Sequence, residues 1–124
     1  METIYSKIGP DRLLVLVDKF YDIVFFDSKI SHLFDSDKSQ IRDKQYRFLT
    51  QFLGGPSLYS DKYGHPKMKA RHLPHSIGEK ERDEWLRCMK RAINEMEFEG
   101  DLGETLFNCF PHVAQHMVNR NDTE

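Results

Sequence analysis

The stretch GPDRLLVLVDKFYDIVFFDS, residues 9–28, decides the fold. Within it Leu13, Val17, Phe20, Tyr21, Val24 and Phe25 recur at the three- and four-residue spacing that places side chains on one face of a helix. Pro10, just after Gly9, suits a first helical position, where its missing N–H would have had no intrahelical partner. Asp27-Ser28 ends the run. The same period near 3.6 governs the rest of the chain and no segment alternates strictly, so the fold class is all-α.

Working outward, Ile30, Leu33 and Phe34 form a short apolar turn, and Asp35-Ser36-Asp37 offers caps for a second long helix. That helix is expected to run to about Phe52 with Ile41, Gln45, Phe48, Leu49 and Phe52 inward. Gly54-Gly55-Pro56 stops it, because glycine permits left-handed backbone and proline cannot continue a helix. Residues 54–64, rich in glycine, proline and tyrosine, read as an ordered loop longer than most connections, a feature associated with function. A short helical piece over 66–71 is closed by His72-Leu73-Pro74. Ser76-Ile77-Gly78-Glu79 has the spacing of a capping box, followed by a stripe of Trp85, Cys88, Met89, Ala92, Ile93 and Met96 that Gly100 is expected to end. The last helix, about 101–119, turns Leu102, Leu106, Phe110, Val113 and Met117 inward. Pro111 should bend it near Phe107, whose carbonyl loses its donor.

With 124 residues, 39% of them hydrophobic, the chain suits one domain over 1–124 that buries about two-thirds of its unfolded surface without disulfide or zinc staples. Eighteen Lys and Arg against 20 Asp and Glu give a net charge of -2, which argues against a nucleic-acid partner. The longest apolar stretch is interrupted by Asp18, Lys19 and Asp22, so no membrane span is expected. The first residues lack the basic and apolar regions of an export signal, which points to the cytoplasm. Cys88 and Cys109 form no CxxC motif and are expected to be free thiols there.

Three helices each carry a polar-tipped residue within an apolar stripe: Tyr21, Gln45 and Trp85. A buried glutamine amide without partners costs roughly 1–3 kcal/mol, so Gln45 on an inward face calls for a ligand or a network. Tyr21 and Trp85 can equally be core aromatics whose tips reach a carbonyl. Of the six histidines, His112 and His116 stand four apart but lack the glutamate of an HExxH motif. His72 closes a short helix, is followed by Leu73-Pro74 and precedes Trp85 by 13 residues, which makes it the candidate for a single axial metal ligand. No phosphate-binding glycine loop, GxSxG elbow or Cys/His nucleophile pair is present, so hydrolase and nucleotide-binding functions are poorly supported.

Lys19-Phe20-Tyr21, Phe48-Leu49-Thr50-Gln51-Phe52-Leu53-Gly54-Gly55-Pro56, Tyr63-Gly64-His65-Pro66, Ala70-Arg71-His72-Leu73-Pro74, Trp85-Leu86-Arg87-Cys88-Met89 and His116-Met117-Val118-Asn119 together resemble bacterial truncated haemoglobins of the second group. The likeness spans about residues 8–119. It implies a truncated globin fold, a two-over-two α-helical sandwich around haem b. It also implies that His72 binds the haem iron, that Phe34 packs against the haem, and that Tyr21, Gln45 and Trp85 form the distal set. Ile41 takes the gate position where many globins place a histidine, and Lys44 and Arg71 are partners for the haem propionates.

The chemistry of these residues agrees with the resemblance. A neutral imidazole can hold ferrous haem on one side and leave the other open to a diatomic ligand. The Tyr21 hydroxyl and the Trp85 indole N–H can donate to dioxygen as it gains negative charge, with Gln45 donating or orienting the tyrosine. The expected function is reversible binding of dioxygen, and of other small ligands such as nitric oxide, sulfide or cyanide. The competing function is a haem-dependent redox enzyme, peroxidase-like or a nitric oxide dioxygenase, which would need an external reductase. A haem-free helical interaction module is a third class, disfavoured by Gln45 and by the setting of His72.

Overall fold

A computed structural model gives the fold and describes residues 2–27, 29–31, 37–65 and 77–118. Among these residues there are helices and no strands, as the period requires. The helices are α1 (Ile4–Ile8), α2 (Pro10–Asp27), α3 (Lys38–Phe52), α4 (Leu58–Tyr63), α5 (Glu79–Met96), α6 (Leu102–Phe107) and α7 (Pro111–His116). The short helix expected over 66–71 lies outside the described residues.

Helix α2 is the centre of the packing and contacts both α3 and α5, while α5 also carries α6 and α7. Its inward face is wider than a single stripe, because Leu13, Leu16, Val17, Phe20 and Val24 are all fully buried. They meet Cys88, Met89, Ala92 and Ile93 of α5, Leu106 of α6 and Phe110. Each such side chain contributes about 1.5–3 kcal/mol of transfer free energy, set against the conformational entropy of ordering it. The opposite face of α2 leaves Leu14 and Val15 about half exposed, and Phe26 at its end is 86% exposed.

Helix α1 has no counterpart in the periodicity, since five residues are too few to show one. Its signal is local. Thr3 Oγ1 accepts from the Ser6 amide at 3.0 Å while Ser6 Oγ accepts from the Thr3 amide at 2.8 Å, a reciprocal cap with serine in the usual place of glutamate. Gly9, at φ 82°, separates α1 from α2 and lets Pro10 take the first helical position of α2. The α1 segment then docks on the end of α3, with the Tyr5 amide donating to the Leu53 carbonyl at 3.0 Å.

Helix α3 begins and ends as expected. The Asp37 side chain caps it by accepting from the Gln40 amide at 3.1 Å, and Gly54, at φ 102°, follows its C-cap. The expected long loop over 54–64 instead contains α4. Tertiary hydrogen bonds hold that short helix: Gln51 Oε1 accepts from the Ser60 amide at 3.0 Å and Gln51 Nε2 donates to Ser60 Oγ at 2.8 Å. Asp43 of α3 completes the tie, accepting from Lys62 Nζ and from the Tyr63 hydroxyl, each at 3.0 Å, and from Arg47 Nε at 2.9 Å.

Three boundaries differ from expectation. The cap of α5 lies two residues later than Ser76, at Gly78, whose amide donates to Glu81 Oε1 at 2.7 Å. The same helix ends at Met96, before Gly100, because Glu97 turns left-handed at φ 52°. A non-glycine residue in that region costs roughly 1–2 kcal/mol. The turn brings Phe98 and Glu99 onto Arg12, whose guanidinium lies 5.1 Å from the Phe98 ring centroid and whose Nη1 donates to Glu99 Oε1 at 2.8 Å. That bond holds the Glu99 carboxyl down at about 2. Finally, the predicted bend at Pro111 is a complete break. The Phe110 amide bonds the Phe107 carbonyl at 3.0 Å in a tight turn, and Pro111 starts α7 at a position where it needs no donor. Neither cysteine is in a disulfide: Cys88 is buried, and the half-buried Cys109 donates its S–H to the Thr105 carbonyl at 3.5 Å.

Two consequences can be measured. A Cβ added at Gly55 would lie 2.7 Å from the Tyr5 ring and 2.8 Å from the Thr50 carbonyl oxygen, and that backbone atom has little room to move. Gly55→Ala is therefore expected to lower stability by about 1–3 kcal/mol in urea unfolding followed by circular dichroism; an unchanged midpoint would contradict this close packing. Burial alone would raise the Asp43 carboxyl, but the bonds from Lys62, Arg47 and Tyr63 outweigh it and hold the group below its ordinary 3.8. A depressed folded value means stability that is present above the unfolded value and lost as pH falls through the folded one. Asp43→Asn should lower the thermal midpoint at about pH 7, and its deficit should shrink as pH falls below about 3.8. A deficit independent of pH would assign the effect to packing.

Candidate functional site

Two of the three polar-tipped residues, Tyr21 and Trp85, pack on one ring. Tyr21 of α2 is only 2% exposed and meets Phe20 edge to face, with centroids 4.9 Å apart and planes at 77°. Trp85 of α5, half-buried, packs on the same Phe20 at 5.1 Å. Phe20 is thus the ring around which two side chains from different helices gather. Phe20 and Tyr21 are adjacent in sequence, and inward-facing positions on a helix include neighbours one apart as well as three and four.

Tyr21 also stacks on Phe25 at 5.8 Å with planes 27° apart. Burial pushes its phenol well above the ordinary value, an effect only partly opposed by the positive charge of Arg42. A phenol is a neutral hydroxyl at physiological pH even at its ordinary value, and burial moves it further from ionisation. Trp85 continues into a series of rings: Phe110 at 5.6 Å, then Phe52 at 6.2 Å and Phe48 at 5.6 Å. Phe48 meets Tyr59 at 6.0 Å, and Tyr59 meets Tyr63 at 5.2 Å. By spacing alone Phe48, Phe52 and Phe110 belong to ordinary core stripes. Their spacing resembles a core face, and only the tertiary arrangement joins them to Trp85.

Helix α3 forms the second wall. Ile41, Gln45 and Phe48 are half-buried and Phe52 is 37% exposed, although all four lie on the face expected to be inward. On the same helix Leu49 and Thr50 are fully covered. The face carrying Ile41, Phe48 and Phe52 is therefore apolar and only partly covered. Lys44 lies at its margin, its Nζ 5.3 Å from the Tyr63 ring centroid, with Lys62 Nζ 5.2 Å from the same ring. His65, His112 and His116 are exposed. Among the described residues no group of three or more His, Cys, Asp or Glu could hold a metal, and no helix is long and apolar enough to cross a membrane. His72, Arg71 and Phe34 lie outside the described residues. The structure thus brings Tyr21 and Trp85 together and places Ile41, Lys44 and Gln45 along α3.

Residues 3–119 match the model of the family described as bacterial-like globin. The chain is 43% identical over 120 residues to the group 2 truncated hemoglobin YjbI of Bacillus subtilis, covering 97% of this chain and 91% of that one. It is 34% identical over 119 residues to group 2 truncated hemoglobin 3-1 of Lotus japonicus, covering 93% and 71%. Its fold superposes on the group II truncated haemoglobin of Bacillus anthracis with a TM-score of 0.92 at 39% identity, covering 98% of this chain and all of that one. The truncated oxygen-avid haemoglobin of B. subtilis gives 0.89 at 43% identity, covering 95% of this chain and all of that one.

Haem b is a flat, largely apolar disc with two anionic propionates. The residues present fit such a group: an incompletely covered apolar face on α3, aromatic rings at its end, a buried phenol, and Lys44 beside it for negative charge. The chain belongs to the bacterial-like globin family as a group II truncated haemoglobin, all-α with a two-over-two fold and haem b as its cofactor.

Proposed function

We propose that this globin binds dioxygen reversibly and retains it through hydrogen bonds from Tyr21 and Trp85. The observation that carries the reading is the convergence of these two donors, from α2 and α5, on the ring of Phe20. The description of the B. subtilis relative as oxygen-avid supports it. When bound, haem would supply a ferrous iron able to take up a diatomic ligand reversibly.

The chain's residues take the following parts. His72 would hold the haem iron through its imidazole, and Phe34 would pack against the porphyrin. The neutral Tyr21 phenol and the Trp85 indole would each donate a hydrogen bond to dioxygen held there. Gln45 supports that pair from α3. Ile41 has no nitrogen to offer, so the gate position provides no competing ligand. Lys44 and Arg71 hold the propionates, for which exposed ion pairs contribute only about 0–1 kcal/mol each. Nitric oxide, sulfide and cyanide are further small ligands for the same site. The domain occupies the whole chain and works in the cytoplasm, and any redox cycling would draw electrons from an external reductase.

Two experiments test this. His72→Ala should lose most of its haem, or at least the native ferrous absorption spectrum; unchanged haem stoichiometry and spectrum would remove His72 from its role. A neutral hydrogen bond contributes about 0.5–1.5 kcal/mol, so Tyr21→Phe and Trp85→Phe should each speed dioxygen release by roughly two- to tenfold in stopped flow. Because both donors act on one ligand, their effects should not be additive in the double variant. Release within about twofold of the parent in all three variants would return these residues to the role of core aromatics.

A further inference from the structure

Arg42 is the charged residue that reaches the tyrosine from the opposite helix. It sits one position after Ile41, on the second turn of α3, and its fork crosses to α2. Nη1 donates to Asp18 Oδ1 at 3.1 Å and to the Asp18 carbonyl at 3.2 Å, while Nη2 donates to Asp22 Oδ1 at 2.9 Å. Asp18 and Asp22 are four apart, so one guanidinium spans a full turn of α2. In that position its central carbon lies 5.9 Å from the ring centroids of both Tyr21 and Phe25.

Three physical features make this more than a surface ion pair. Exposed salt bridges contribute little to stability, and the aspartates here are largely solvated, so stability alone is a poor account of the arrangement. A planar fork with two anchors has few ways to move, which a lysine could not match. The charge it fixes lies within cation–π range of the face of a buried tyrosine. A cation near a phenol favours transfer of negative charge onto its oxygen, and that makes the O–H a stronger donor. The α2–α3 register that fixes the fork also sets which α3 face, that of Ile41 and Gln45, is turned towards the site.

We infer that Arg42 is a positioning residue for Tyr21: anchored by Asp18 and Asp22, it holds the tyrosine ring in place and strengthens the hydroxyl as a donor to the bound ligand. The inference rests on the proposed role of Tyr21 and adds a residue argued to act through the tyrosine.

The test uses the haem-loaded protein and the variants Arg42→Met, Arg42→Lys, Tyr21→Phe and Arg42→Met/Tyr21→Phe. Arg42→Met keeps a stem of similar shape without charge or fork. It should speed dioxygen release by about two- to fivefold, the scale of a partly exposed cation–π contact, and it should have no further effect once Tyr21 is phenylalanine. Arg42→Lys, which retains the charge without the fork, should recover part of the loss. The second readout is independent of ligand kinetics. In the diamagnetic carbon monoxide complex with 13C-labelled tyrosines, the Tyr21 ring signal, identified by its loss in Tyr21→Phe, should shift in Arg42→Met while those of Tyr59 and Tyr63 stay in place.

An unmoved Tyr21 signal, unchanged release in Arg42→Met, or equal acceleration with and without Tyr21 would each overturn the inference. The last outcome would make Arg42 a simple clamp between helices and leave the donor role of Tyr21 intact. Unchanged release in Tyr21→Phe itself would instead overturn the donor role, and this inference with it. If Arg42→Met does not fold, Asp22→Asn releases one arm of the fork while keeping the arginine, and an unmoved Tyr21 signal in that variant would overturn the inference equally.

Discussion

The apolar face of α2 is broader than any one neighbour can cover, and the rest of the molecule follows from that constraint. Leu13, Leu16, Val17, Phe20 and Val24 need partners on two sides, so α5 packs across one part of the face and α3 across another. Burial of this face is non-directional and would tolerate a range of helix angles. Direction comes from the polar contacts at its edges. The Arg42 fork ties α3 to α2, and Arg12 ties the turn after α5 back to the α1–α2 junction.

The site uses the part of that packing which remains incomplete. A well-packed interior leaves few voids, so the half-covered face of α3, from Ile41 to Phe52, stands out against the fully buried residues of α2. A flat cofactor can occupy such a face without disturbing the core beneath it. Tyr21 belongs to the core through its ring, which lies among Phe20 and Phe25, while the proposed function gives its hydroxyl the role of a donor. Burial raises the phenol further above its ordinary value, so the apolar packing that folds α2 reinforces the neutrality of that polar tip.

Short elements show how far tertiary contacts override local preference. Helix α4 has six residues, and the side chain of its N-cap Ser57 bonds Asp61 Oδ1 instead of capping a backbone amide, yet Gln51 and Asp43 of α3 hold both of its ends. Glu97 adopts a left-handed conformation with Gly100 only three residues away, because the turn there seats Phe98 and Glu99 against Arg12. A residue with an unfavourable backbone preference is retained where its neighbours' contacts outweigh the cost.

The sequence by itself determined the all-α class, the extents of α2 and α3 and the stripe of α5, and it marked Pro111 as a point where the last helix bends, though not that the helix breaks there, because helical period, caps and proline act over a few residues. Tyr21, Gln45 and Trp85 were legible as polar tips on apolar faces for the same local reason. Only the tertiary structure decided that Tyr21 and Trp85 share the ring of Phe20, that Phe48, Phe52 and Phe110 extend the series from Trp85, and that Arg42 lies against Tyr21. It also decided that residues 54–64 contain a helix and that α5 ends before Gly100. These outcomes depend on contacts between residues as far apart as Arg12 and Glu99, and the spacing of side chains along a single helix carries no information about which distant partner will cover them.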